Sequence, residues 1–403
     1  MKIIHCRSCK TKNLTKVYSL GKQSLTGIFP SKKNSKVTVG ELSMVLCGKC
    51  KLLQLENNFN PIEMYGDNYG YMSSLNSSMV SHLKLKSKQL KSKYEFNFNE
   101  NILDIGSNDG TFLSFFSKKF NLYGCDPTIK KFSKYYRKDI RQIQNFFSSK
   151  LFGNKKFKLI TTISMFYDVP DPLKFTKEIS SILARNGIWH IELSYMPMMI
   201  KNTSYDTICH EHLEYYSLHS LKYLLDKAGL KIINLSFNQT NGGSIALDVT
   251  KKSSKYKKCE YLINWVLKSE KLNKYNTIKK QKDFFKACKT HKILLKKLIK
   301  NLKKEGKSVY GYGASTKGNV ILQYCNLNSN EIKYIGEVNK FKFNRYTPGS
   351  KIKIISEQKL KKMKPDYLLV LPWHFKDNVI KKEKSYLNSG GKLLFPLPDI
   401  EII

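Results

Sequence analysis

The sequence predicts an α/β protein in three parts: a small N-terminal four-cysteine zinc domain, a central doubly wound Rossmann-like sheet and a second Rossmann-like α/β domain at the C-terminus. Three observations predict it. Two Cys-x-x-Cys pairs stand near the start, Cys6 and Cys9 in HCRSCK, and Cys47 and Cys50 in LCGKCKLLQL. Strand, glycine turn and helix follow one another in NILDIGSNDGTFLSFF. The same order returns in SVYGYGASTKGNVILQYC. The expected domains are residues 1–65, 66–238 and 239–403.

Each Cys-x-x-Cys loop can turn two thiolates toward one centre, and two such loops complete a tetrahedral site for Zn2+. The Ser/Lys-rich segment between them cannot build much core alone, so a metal would take the place of that core. Free thiols or a redox pair are the alternatives. Four thiolates leave no open coordination position, which makes the expected zinc structural.

From about Gly66 the composition changes. YGYMSSLNSSMVSHLKLKSKQL reads as a tyrosine-rich turn entering an amphipathic helix. Ile102, Leu103 and Ile105 then form a buried strand with Asp104 near its end. Gly106, Ser107, Asp109 and Gly110 make a tight turn, and a helix starts at Thr111. The next strand, NLYGCDPT, ends in Asp126, about twenty residues beyond the turn, where an acid can accept both hydroxyls of a ribose. FKLITTISMFYDVPDP and GIWHIELSY are further buried strands. GSNDG lacks the G-x-G-x-x-G spacing of dinucleotide folds, and Asp104-x-Gly106 followed by Asp126 resembles the S-adenosylmethionine site of class I methyltransferases. A βα turn without ligand is the alternative.

Next come a strand pair broken at Asn241-Gly242-Gly243 and a Lys-rich helical run from about Lys251 to Lys304. The closing unit carries Gly311, Gly313 and Gly318, with IKYIGEV and YLLVLPWHF as later strands. It is not a P-loop, because Gly-Lys-Ser/Thr in that order is missing. Such a half either binds a diphosphate at its helix start or only packs.

The formal charge is +40, which taken alone suggests nucleic acid. The lysines are dispersed along the chain and decorate solvated faces, so no nucleic-acid partner is expected; an anionic small substrate fits the field. Hydrophobic residues at 41% and aromatics at 12% are those of a folded enzyme. No apolar run reaches the roughly 20 residues of a membrane span and the start lacks a signal-peptide core, so a cytoplasmic protein with no membrane partner is expected.

One stretch remains, YDTICHEHLEYYS. His210-Glu211-His212 reads as a metal site, an acid/base device or a polar turn. It lacks the i, i+4 spacing of H-E-x-x-H, which disfavours metal. Tyr215 and Tyr216 read as packing residues, and His219, His291 and His374 as surface or satisfied polar residues. Cys209 reads equally as a ligand-contacting thiol or a small core residue.

Taken together, these motifs resemble the sugar C-methyltransferases, three-part enzymes that methylate a carbon of a nucleotide-linked keto-deoxysugar with S-adenosylmethionine. The resemblance runs almost end to end: the paired Cys-x-x-Cys, Tyr69-x-Tyr71-x-Ser73, LDIGSNDGTFL, VPDP, YDTICHEHLEYYS, NGGS, GYGASTKGN, RYTPGS and LPWHF. It implies that Gly106 and Asp109 line the methionine end of the cofactor, Asp126 its ribose, and Asn145 and Phe146 its adenine. It also implies that Glu211 and His212 are the acid/base pair, that Tyr71 lies near the sugar, and that Tyr69, Asp168, Cys209, Asn241 and Lys317 belong to the substrate site. Because the sulfonium methyl needs a nucleophile and an unactivated sugar carbon is none, a base must form an enolate beside the ketone. His212 is expected as that base, with Glu211 orienting it or holding the sugar, and His210 or Tyr71 near the oxyanion. Three positions depart from the family: Cys209 stands where tyrosine is frequent, Asp168 where histidine precedes Val/Ile-Pro-Asp, and Asn241 where HGGS has histidine. All three surround the sugar rather than the cofactor. Methylation of oxygen or nitrogen on the same scaffold is the rival enzyme reading, and a basic zinc-containing RNA-binding protein the rival in kind. A monomer or loose homodimer is expected.

Overall fold

The computed structural model describes residues 2–65 and 70–403, so the expected substrate residue Tyr69 lies outside the described residues. Three sheets form the molecule.

The first sheet begins with β1 (Leu14–Ser24), β2 (Val39–Cys47) and β3 (Leu53–Leu55). From Leu42 to Cys47, β2 is buried on both faces. Its apolar side chains share a core with Phe284, Leu295 and Ile299 of the long helix Ile278–Lys304.

The central sheet contains β4 (Asn101–Ile105), β5 (Asn121–Cys125), β6 (Arg141–Ile143), β7 (Phe157–Ile163) and β8 (Leu183–Ser194), all parallel. Before β10 the chain makes β9 (Glu214–Tyr215), which does not join this sheet. It completes the zinc-domain sheet instead, with Leu53 opposite Tyr215 and Gln54 opposite Glu214. The segment that follows His212 is therefore hydrogen-bonded to the N-terminal domain.

The hairpin β10 (Leu230–Asn238) and β11 (Ser244–Lys251) closes the central sheet, giving the order β10-β11-β8-β7-β4-β5-β6. The expected boundary at 238/239 falls inside this hairpin, whose ladder runs from Leu230 opposite Lys251 to Asn238 opposite Ser244. The helical run expected from Lys251 is two helices, Glu260–Leu272 and Ile278–Lys304, because Lys251 still pairs as strand.

The C-terminal sheet has the order β14-β13-β12-β15-β16-β17, parallel except for its last strand: β12 (Val309–Tyr312), β13 (Tyr334–Glu337), β14 (Lys353–Ser356), β15 (Tyr367–Val370), β16 (Lys392–Phe395) and β17 (Glu401–Ile402). This is a second doubly wound sheet.

The helix Ser77–Lys93 leads into the central sheet and is capped by Asn76, whose side chain accepts from Ser78 and Met79 N–H. Its inner face mixes Met79, Leu83 and Leu90 with the buried Lys86. Lys86 Nζ lies 2.8 Å and His82 Nε2 2.5 Å from the carboxylate of Glu192 on β8. Burial alone would raise the pKa of Glu192, but His82, then Lys86 and His190, outweigh it and hold the carboxyl at about 2. No helix among the described residues is long and apolar enough to cross a membrane.

Candidate active site

The four cysteine sulfurs lie within 4.8 Å of one another, with Cys6 and Cys50, and Cys9 and Cys47, each 3.5 Å apart. Lys10 and Lys51, each following the second cysteine of its pair, both take φ of 60°, so the two loops turn alike. Sulfurs about 2.3 Å from a tetrahedral Zn2+ would have this spacing, and the donor set fits zinc. Gln54 Nε2 donates to Cys6 Sγ at 3.3 Å, and Arg7, inside the first loop, lies 3.6 Å from Glu214. The metal cluster thus touches the strand that anchors the His212 loop.

At the carboxyl end of β4 the chain turns through Gly106 and Gly110, with φ of 75° and 76°. A Cβ at Gly106 would meet Met165 at 2.8 Å, so the backbone is both left-handed and tightly covered there. Asp109 accepts from Ser74 N–H at 2.9 Å, and Asn108 accepts from Ser73 N–H and donates to Tyr71 O. The tyrosine turn is thus fastened onto the glycine loop, and the Tyr71 side chain is exposed beside it. Asn339, just beyond β13, reaches the same turn by donating to Gly70 O at 2.9 Å.

Asp126 at the end of β5 accepts from Asn108 N–H at 2.9 Å and from Thr128 N–H at 2.7 Å. Thr128 Oγ1 donates to the same carboxylate at 2.5 Å, which holds it toward the loop with about one acceptor position left for a ligand. Ser107 bonds to Tyr136 OH at 2.7 Å, beneath the loop. Asp104 points into the sheet, accepting from Thr161 Oγ1 at 2.6 Å, and burial pushes its pKa up to about 7. That placement suits holding the strand end. Asn145 and Phe146 follow β6 on the open carboxyl edge, and the Phe146 ring is half exposed and edge-on to Tyr65.

The three members of His210-Glu211-His212 have different surroundings. His210 is wholly buried, with Nε2 3.4 Å from Gly40 O and its ring against the edge of Phe59. Burial lowers its pKa to about 4. Glu211 accepts from Thr26 Oγ1 at 3.2 Å, and a Cβ on Gly27 would fall 2.3 Å from its Oε1. Burial raises its pKa.

His212 has its Nδ1 2.7 Å from Thr207 O and its ring 4.3 Å from that of Tyr167. Burial first, and the charge of Lys317 second, lower its pKa to about 3. A neutral imidazole beside a carbonyl must carry its proton on Nδ1, which leaves Nε2 as a lone-pair base. The orienting acceptor is thus the Thr207 backbone, while the carboxylate of Glu211 engages Thr26. Sequence reasoning missed Thr207 because a carbonyl leaves no mark on residue type.

Cys209 is fully buried in the core with Leu213 and Tyr215, as a small core residue would be. Asp168 keeps one buried oxygen, Oδ1, without a partner, and its pKa is raised by burial and by the charge of Glu211. Tyr215 and Tyr216 are core residues, and His291 is satisfied by Tyr205 OH and Pro396 O. His374 differs from its expected place: its Nδ1 is buried without a partner, close enough to Lys317 for that charge to lower its pKa further than burial alone. From the C-terminal part, Lys317 Nζ donates to Asn241 O at 3.0 Å, and Asn241 donates to Ser164 Oγ at 2.9 Å, at the end of β7.

Comparison with known proteins matches this architecture in order. A zinc binding domain family matches residues 6–65, a methyltransferase domain family residues 79–235 and a C-methyltransferase C-terminal domain family residues 239–398. The C-methyltransferase NovU of Streptomyces niveus is 26% identical over 410 residues, spanning 100% of this chain and 97% of that protein. Among solved structures, a methyltransferase bound to the Trm112 activator of Haloferax volcanii is 12% identical, covers 43% of this chain and 95% of that chain, and has a TM-score of 0.36. An S-adenosylmethionine-dependent methyltransferase from Clostridium acetobutylicum is 15% identical, covers 42% and 89% respectively, and has a TM-score of 0.32. With the four-cysteine cluster, the glycine loop and the three matched domains in register along its whole length, the chain belongs to the S-adenosylmethionine-dependent C-methyltransferase family.

Proposed function

We propose that this C-methyltransferase acts on a nucleotide-diphosphate-linked keto-deoxysugar, methylating a ring carbon next to the ketone through an enolate. One observation carries the reading: His212 is neutral, oriented by Thr207 O, and keeps Nε2 as its basic atom. Such a base would be idle in methylation of a neutral amine, whereas carbon methylation requires it, and the likeness to a C-methyltransferase weighs against its use on a hydroxyl. Its place in the chain of contacts also supports the role. Met165 covers Gly106 of the glycine loop, and Tyr167, two residues on, sets its ring against that of His212 at a tilt of 60°.

S-adenosylmethionine supplies the electrophilic methyl group. Gly106, Ser107, Asp109 and Gly110 would hold its methionine end, Asp126 the ribose, and Asn145 and Phe146 the adenine. His212 Nε2 takes the α-proton. A low free-enzyme pKa keeps the base unprotonated, and the negative charge forming on the sugar oxygen then stabilises the imidazolium. Glu211 and Asp168 would hold sugar hydroxyls, Asp168 through its unpartnered Oδ1. Tyr71, on the turn fastened to the glycine loop, would flank the reacting carbon. His210, shut inside the N-terminal sheet, would keep the loop in place rather than touch substrate. The C-terminal domain would hold the nucleotide.

The test is incubation with labelled S-adenosylmethionine and a panel of nucleotide-linked 4-keto-6-deoxysugars. A new C–CH3 signal by NMR is expected, with label on oxygen, nitrogen or RNA overturning the reading. His212→Ala should abolish exchange of the substrate α-proton into D2O while cofactor affinity stays intact. Retained exchange would remove His212 from the role.

A further inference from the structure

The enolate reading leaves one requirement unassigned. Charge that leaves the carbon collects on the carbonyl oxygen, and a site that accelerates this step presents a donor to that oxygen. His210 is buried against Phe59, with its ring nitrogens 3.4 Å from Gly40 O and 3.5 Å from Thr26 Oγ1. Another cation stands closer to the chemistry.

Lys317 is the second residue of the helix Thr316–Tyr324, which packs against Tyr205–Thr207, the turn that leads into the His212 loop. Its neighbour Thr316 has Oγ1 3.8 Å from the point at Gly27 where Glu211 Oε1 comes within 2.3 Å. Asn319, one turn on, donates to Thr26 O at 2.7 Å. The ammonium itself sits 3.0 Å from Asn241 O, and one such bond occupies one of its three protons. Around it, polar atoms stand without partners in buried positions: Asp206 Oδ1 and His374 Nδ1. Asp206 is fixed by Trp373 Nε1 at 2.8 Å through its other oxygen. Unpartnered buried polar atoms beside a cation mark a place where a polar ligand completes the bonding.

We propose that Lys317 is a catalytic residue that donates to the developing enolate oxygen while His212 removes the α-proton. The step balances: the C–H proton passes to His212 Nε2, the C–H pair becomes the C=C bond, and the carbonyl π pair moves onto the oxygen facing Lys317. Asp206 is the fixed anion that keeps the lysine charged within this site; burial lowers the ammonium pKa and Asp206 works against that. The same positive charge lowers the pKa of His212 in the free enzyme, which keeps the base unprotonated. The C-terminal domain thereby contributes to the chemistry as well as to holding the nucleotide.

This rests on the enolate reading, and the test separates the two. Exchange of the α-proton into D2O is followed with a sugar nucleotide that the wild type methylates. Lys317→Ala should slow exchange at saturating substrate by about 10²–10³-fold, with S-adenosylmethionine affinity unchanged and partial rescue by added propylamine. A rise in KM with an unchanged exchange rate at saturation would assign Lys317 to gripping phosphate and overturn the proposal. Failure of the variant to fold is detected by its cofactor affinity, and Lys317→Met, which keeps the apolar stem and removes the donor, then serves, with slowed exchange expected at retained affinity and full-rate exchange overturning the proposal. If the wild type methylates without exchange, the enolate reading falls, and this proposal with it.

Discussion

At the scale of single residues, three neighbours in the motif His210-Glu211-His212 acquire three properties from what surrounds them. The sequence left the triplet open between a metal site, an acid/base device and a polar turn, and only the resemblance to the sugar C-methyltransferases pointed to proton transfer. It could not sort the members, since the sorting depends on Gly40 O, Thr26 and Thr207 O, which come from other parts of the chain. His210 also makes stability depend on pH. Its folded pKa is about 4, below the usual histidine value, so its contribution is full above about 6.5 and is lost as pH falls toward 4. The slope is about 1.4 kcal/mol per pH unit in that window. Replacing His210→Gln should therefore flatten the fall of the urea midpoint between pH 7 and pH 5 relative to wild type. Parallel curves would show that His210 is protonated in the folded state.

At the scale of elements, the helix Ser77–Lys93 reads in sequence as amphipathic, yet its seat on the sheet is half ionic. Lys86 and His82 meet Glu192, and Tyr94 OH, just past the helix, meets Asp248 at 2.7 Å. Periodicity detects apolar faces and passes over a buried lysine, because its partner lies on a strand more than a hundred residues away. Glu192→Ala leaves Lys86 buried without its anion and should cost about 3–5 kcal/mol in chemical denaturation. Adding Lys86→Met should recover a large part of that loss. A fall below about 1 kcal/mol for Glu192→Ala would mean that the pair is solvated in the folded protein. Since this helix continues the turn that grips Asn108 and Asp109, loosening it should also weaken cofactor binding.

At the scale of the whole molecule, the three-part plan was legible because each part carries a local signature: paired cysteines, or a glycine turn between strand and helix. The relations between parts were not legible. No local pattern says that Glu214–Tyr215 pairs with Leu53–Leu55, or that the hairpin after residue 238 stays in the central sheet. The pairing ties the four-cysteine domain to the loop that carries His212. Stripping zinc with a chelator should raise amide hydrogen exchange at Leu213 to Tyr216 and abolish methyl transfer, while the glycine loop keeps its affinity for S-adenosylmethionine. Unchanged protection at those amides would show that the loop stands without the N-terminal sheet. The same pairing also governs the order of assembly. During synthesis N-terminal units emerge first, but β3 must wait as an open edge until the five parallel strands of the central sheet have been made and β9 follows them. An unpaired edge is a template for stray strands, so the interval before β9 arrives is when a nascent chain is most exposed to aggregation. The short, three-residue length of β3 limits that exposure.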